Sequence, residues 1–226
     1  MNIRWLCLLA ALGLAVGASG PVSHRRGVRG KSMMQKPKLV DVVLTVLEDS
    51  GRPGSLEYQG ACTGSGDITE NFGIAAPLQS DLHPVQALQR AFVGDPELTA
   101  SQDASGLIRV VGGDVPTDLL NLRIHEVVFQ RERDPRDAEY KLLALPEVHA
   151  YMQAHHITFI QTIIGLIPPP SGRVLNVTLK GVTLSAALDR IAETFPGVWV
   201  YGECTRSGER HVLMFFHEFS VQPSTR

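Results

Sequence analysis

The chain has 226 residues, 44% of them apolar, 19% charged and 6% aromatic, with a formal net charge of −2. That balance describes a globular chain with room for one large core or two small ones, and it excludes disordered, collagen-like and many-span membrane classes. No basic excess points to nucleic acid, and the aromatic content is too thin for a base-stacking platform.

Residues 1–20 read MNIRWLCLLAALGLAVGASG. Arg4 precedes an apolar run from Trp5 to Val16, and Val16 and Ala18 suit the −3 and −1 positions of a signal-peptidase site. Residues 1–18 are therefore expected to be a signal peptide, and the protein to be exported to the periplasm or beyond. The alternative is an uncleaved anchor, but the run is shorter than the roughly 20 residues a spanning helix needs. Residues 19–37 form a basic arm with Arg25, Arg26, Arg29 and Lys31, while residues 39–226 hold 14 basic and 23 acidic side chains. The arm reads as a solvated tether, or as a contact with anionic headgroups or an acidic partner. Two cysteines remain after cleavage, Cys62 and Cys204. In an oxidising compartment they are expected to form one disulfide, and they are too few for a four-cysteine zinc site.

Along the chain, KLVDVVLTVL at 38–47 reads as a strand by its Val and Leu content, SGRPGS at 50–55 as a turn, and 56–59 as the returning strand. A short helix starts at Pro84, with Val85, Leu88 and Phe92 at i, i+3 and i+7, and Asp95-Pro96 stops it. Residues 107–111 and 122–129 read as strands, and 131–137 as a charged linker. A helix over 138–154 carries Leu142, Leu145, Val148 and Met152, and Pro146 must kink or split it. ITFIQTIIGLI at 157–167 is strongly β-type, and PPPSG at 168–172 is a stiff break.

The last segment has the clearest pattern. VLNVTL at 174–179 is a strand. Leu184, Ala187, Leu188, Ile191, Ala192 and Phe195 then form an amphipathic stripe, with Thr183 as N-cap and Pro196-Gly197 as the end. Strands follow at 198–201 and 211–216 around a Ser207-Gly208 turn, which makes a β-α-β-β unit. Ala87, Leu88, Arg90 and Pro96 match Ala187, Leu188, Arg190 and Pro196, so residues 84–129 read as a diverged copy.

The fold expected is α+β: two small β-α-β-β modules, at 38–130 and 157–218, each a mixed sheet with helices on one face. A helical connector lies at 131–156 and a tail at 219–226. Residues 174–216 resemble the short N-terminal domain of secretins and TonB-dependent receptors. Val177 and Leu179 fit its strand, Leu184, Ala187, Leu188 and Ile191 its helix, and residues 198–201 its following strand. The resemblance implies an envelope module that docks a protein partner without catalysis or cofactor. It does not carry over pore, receptor or transport functions. The helix face with Ser185, Asp189, Arg190 and Glu193 is expected in water, with Asp189, Arg190 and Glu193 as candidate docking residues.

No local motif demands chemistry. His149 and His156 would share a helix face but lack a third metal ligand, and His125-Glu126 point to opposite faces of a strand. The G-S-G at 64–66 is not a nucleophile elbow, nor does it carry a P-loop lysine. The competing functional reading is a periplasmic hydrolase that uses Cys62 with a histidine and a carboxylate.

Overall fold

The computed structural model describes residues 37–64, 67–74, 82–160 and 172–220, and in it the segment expected as the first strand is a helix, α1 (Leu39–Ser50). Its buried residues are Leu39, Val42, Val43, Val46 and Leu47, which recur at i, i+3, i+4, i+7 and i+8. That spacing is one face of a helix. The branched composition suggested a strand, and the period decides against it. Gly51 ends α1 at φ 62°, with its own N–H and that of Arg52 returning to Glu48 and Leu47.

The chain continues through β1 (Gly54–Gln59), β2 (Ala61–Cys62), β3 (Ile68–Thr69), α2 (Pro84–Ala91), β4 (Leu98–Gln102), β5 (Ile108–Gly112) and β6 (Arg123–Glu132). Then come α3 (Pro135–Leu143), α4 (Pro146–Ala154), β7 (Ile157–Ile160), β8 (Leu175–Thr183), α5 (Leu184–Thr194), β9 (Gly197–Arg206) and β10 (Glu209–Glu218). Pro146 splits the expected long helix into α3 and α4. The charged linker is mostly the end of β6 and the start of α3, whose N-cap Asp134 accepts from the Arg136 N–H. Residues 161–167 and most of the PPPSG break lie outside the described residues, as do the signal segment and residues 19–36 of the basic arm.

The class is α+β, but strands from both expected modules share one sheet, in the order β4-β5-β1-β9-β10-β7. β1 lies between β5 and β9 and is parallel to both. β4 and β10 run antiparallel to their inner neighbours. Helices cover both faces rather than one. On one side Leu56, Tyr58, Ile108, Val110, Val198 and Val200 pack beneath α1 and α2. On the other, Trp199, Tyr201, Val212, Met214 and Phe216 pack beneath α3 and α5.

β8 departs from the expected unit, because it pairs with β6 in a separate antiparallel ribbon instead of joining β9. α5 is therefore sandwiched. Its stripe is fully buried, with Val177 and Leu179 of the ribbon in the same cluster as Trp199 and Tyr201 of the sheet. Thr183 caps it as expected, accepting from the Ala186 N–H at 3.2 Å.

α2-β4-β5 and α5-β9-β10 share one plan, a helix followed by an antiparallel hairpin, although the hairpin strands are 5 residues long in the first and 10 in the second. The two turns both hold a glycine at positive φ, Gly106 at 91° and Gly208 at 85°. The helices lie on opposite faces and the hairpins run in opposite directions. A half-turn about an axis across the strands corrects both, so the strand order about the two helices is the same over 84–112, whereas β6, also within the expected copy, leaves the plan and pairs with β8.

Candidate functional site

The two cysteines meet because β1 and β9 are neighbours. Gln59 is in register with Glu203, and the Gly60 N–H donates to the Glu203 carbonyl at 2.8 Å. The chain then delivers Cys62 on β2 to Cys204 on β9, and the two form a disulfide with a Cα–Cα distance of 5.4 Å. Arg206 holds the same loop through the carbonyls of Thr63 and Gly64. His211 is the cross-strand neighbour of Cys204 on β10. The hydrolase reading needed a thiolate at Cys62, and the disulfide removes it.

Three strands set up the polar site under α5. Arg109 of β5, Ser55 of β1 and Trp199 of β9 are in one register row. Asp189 of α5 reaches down to this row. It accepts from Trp199 Nε1 at 2.9 Å and from Arg109 Nη2 at 2.7 Å, and Arg109 Nε also donates to Asp103 at 3.2 Å. The Asp189 side chain is only 17% exposed, which corrects the expectation that it faces water. It lies one residue past the centre of the stripe, and its partners come from strands that no local pattern reveals. Arg190 and Glu193 are exposed as expected, and they pair with each other at 2.9 Å. Ser55 is fully buried, and its hydroxyl has no partner among the described residues. Glu57, next on the same face of β1, has its carboxyl raised above the usual range by burial, a shift that Arg109 opposes and Asp189 reinforces.

Asp189→Ala is expected to cost about 1–3 kcal/mol, because the buried Trp199 N–H loses its acceptor. Asp189→Asn keeps an acceptor there and should lose less. Denaturant midpoints of the two variants check this; equal losses would mean that the Arg109 charge pair, not the indole, sets the cost.

A second cluster sits on the β9–β10 hairpin and was not anticipated. Arg210 donates through Nε to Glu203 at 2.6 Å and through Nη1 to Asp118 at 2.6 Å. Its Nη2 contacts both carboxylates. Tyr201 donates to Glu203, and Tyr151 to Asp118 at 2.6 Å. The Arg210 hydrogen bonds hold the Asp118 carboxyl well below the usual range. Burial, then the bond to Glu203, push the Tyr201 phenol well up. A signal for this pair was present in the sequence. A Ser207-Gly208 turn puts Arg210 opposite Thr205, hence diagonal to Glu203 on the same face. Glu203 is thus saturated by Arg210 and Tyr201, which suits a clamp and not a general base.

Glu139 of α3 differs, because it is buried with one carboxylate oxygen unpartnered. Burial pushes its pKa up to about 7, and a hydrogen bond from the Phe216 backbone opposes the shift. An acid with a raised folded pKa binds its proton more tightly when folded. Its contribution is fully present below about 4.5 and is lost as pH rises through 7, by on the order of 3 kcal/mol. Glu139→Gln should flatten that slope and melt later than the parent at alkaline pH. Parallel pH profiles for the two proteins would refute the assignment.

The histidines do not converge. His149, His155 and His156 are exposed, with His155 stacked on Tyr151, and the His125 N–H is bonded to Glu147. Among the described residues no group of three or more His, Cys, Asp or Glu is placed to hold a metal. No helix there is long and apolar enough to cross a membrane. In the G-S-G loop, Ser65 and Gly66 lie outside the described residues. The chain matches no family model, no curated protein and no solved structure.

Proposed function

We propose that this chain is an exported, non-enzymatic interaction module of a bacterial cell envelope, and that it docks a protein partner by strand addition along β8. The observation that carries the reading is the ribbon. β8 is a 9-residue strand paired only to β6 among the described residues. Up to Lys180 every second residue of the strand turns its N–H and C=O away from its partner, which is a template for an incoming strand; beyond it Gly181 turns to φ 63° and its C=O accepts from Arg123. The signal-like N-terminus supports export, and the Cys62–Cys204 disulfide suits an oxidising compartment. The likeness of residues 174–216 to the short domain of secretins and TonB-dependent receptors supports the envelope and a protein partner. On α5, Arg190 and Glu193 remain available to a docked protein, whereas Asp189 is taken up internally.

A photo-crosslinking residue at exposed Asn176 on β8 tests this in cells, with exposed Tyr140 on α3 as the control. The expected result is an exported protein that crosslinks an envelope protein from position 176 and not from 140. Retention of the chain in the cytoplasm, or the same adducts from both positions, would overturn the proposal.

A further inference from the structure

The far edge of the main sheet carries a different surface. α1 packs over β1 and β9, and α2 over β4 at the rim. The bonds from Gly113 N–H to Glu97 O and from Asp103 N–H to Leu107 O bracket β4. Antiparallel alternation then turns Thr99 and Ser101 toward β5, and the main-chain groups of Leu98, Ala100 and Gln102 outward. Two of these outward groups are used: the Leu98 N–H bonds Asp95 O, and the Ala100 C=O accepts from Gln89 Nε2 at 3.1 Å. The Leu98 C=O, the Ala100 N–H and both groups of Gln102 have no partner among the described residues.

We propose that β4 and the outer flank of α2 form an interface between two copies of this chain, with β4 paired antiparallel to β4 about a two-fold axis at Ala100. The outward groups are self-complementary in that register, with the Ala100 C=O exchanging its bond from Gln89 for one from the second copy. Each Ala100 N–H meets the other Ala100 C=O, and each Gln102 N–H meets the other Leu98 C=O. The Leu98 N–H keeps its bond to Asp95, so the Gln102 C=O opposite it takes no partner in the second copy. Gln89 holds the place of the incoming N–H, and it is an exposed side chain that can swing away. The strand itself, LTASQ, has no charge and no proline, the devices that usually protect an edge.

The same axis stands perpendicular to the sheet, so it puts both α2 helices on one face, side by side and antiparallel. Gln86, Gln89 and Arg90 of α2 and Val93 of the turn that follows it line an open groove of about 340 Å³. Gln89 belongs to both the groove and the β4 edge, so the groove faces the second copy. Val93 is 82% exposed, more than any other large apolar side chain among the described residues, and the second α2 would cover it.

Sedimentation across a dilution series tests the interface. The wild-type chain should be a concentration-dependent dimer. Val93→Arg places a charge in the groove, and Gln102→Pro removes an outward N–H without touching the main-chain ladder to β5, while giving up the exposed Gln102 Nε2 bond to the Gly106 carbonyl. Each should weaken association by about tenfold or more, with circular dichroism unchanged in both and melting unchanged in Val93→Arg. A wild-type chain that stays monomeric throughout, including one whose β4 edge instead takes another protein's strand, overturns the proposal. So does a dimer that survives both substitutions.

Discussion

Arg210→Ala is expected to destabilise the fold by about 3–5 kcal/mol, the usual cost of stranding a buried charge. Its partner Glu203 is 1% exposed, so no water replaces the guanidinium, and Tyr201 would be left donating to an unneutralised carboxylate. Asp118 contributes less, because it reaches solvent. Arg210→Lys should recover only part of the loss, since a point charge cannot fork between two carboxylates. The acid limb changes too. The depressed Asp118 carboxyl gives stability that is present above its ordinary range and lost as pH falls below it. The alanine variant should lose the Arg210 share of that component and keep the smaller share from Tyr151. An unfolding free energy within about 1 kcal/mol of wild type, from denaturant melts, would show that the clamp is ornamental to stability.

Leu188→Ala should cost about 2–5 kcal/mol through lost burial and an unfilled cavity. Leu188 is fully buried, and α5 is held between the β6–β8 ribbon and the main sheet, so neither side can collapse freely onto the gap. Arg190→Ala, two residues on, should cost less than about 0.5 kcal/mol, because its ion pair with Glu193 is exposed. Equal losses in the two would mean that α5 is rotated from the orientation described.

Local patterns in the sequence were enough for α2, α5 with its Thr183 cap, the split at Pro146 and the β9–β10 hairpin. They failed at α1, where Val-rich composition outweighed a helical period, and at β4, where only Leu98 and Ala100 are buried. The assembly of the sheet was not legible, because parallel pairing of β1 with β5 and β9 involves no turn that a sequence could announce. The disulfide was legible by counting cysteines. Asp189 was not, since its partners are 10 and 80 residues away and the helix pattern alone put it in water.

The placement of β1 also governs the order in which the protein can assemble. Gly54 aligns with Ile108 on one side and with Val198 on the other, so the central strand has no neighbour nearby in the chain. Loop-closure entropy must be met before either pairing is rewarded, and folding of such a topology is slow compared with that of a helical bundle. The stretch from α1 to β7 can bring β4, β5 and β1 together, but it leaves the β9 side of β1 bare until residues 197–206 arrive. Cys62 waits for the same segment, because Cys204 lies 142 residues further on. Once formed, the disulfide ties the β1–β9 pairing together across that separation. On the export proposed above, a chain crossing a membrane from its N-terminus would keep its sheet open until residues 197–206 had passed.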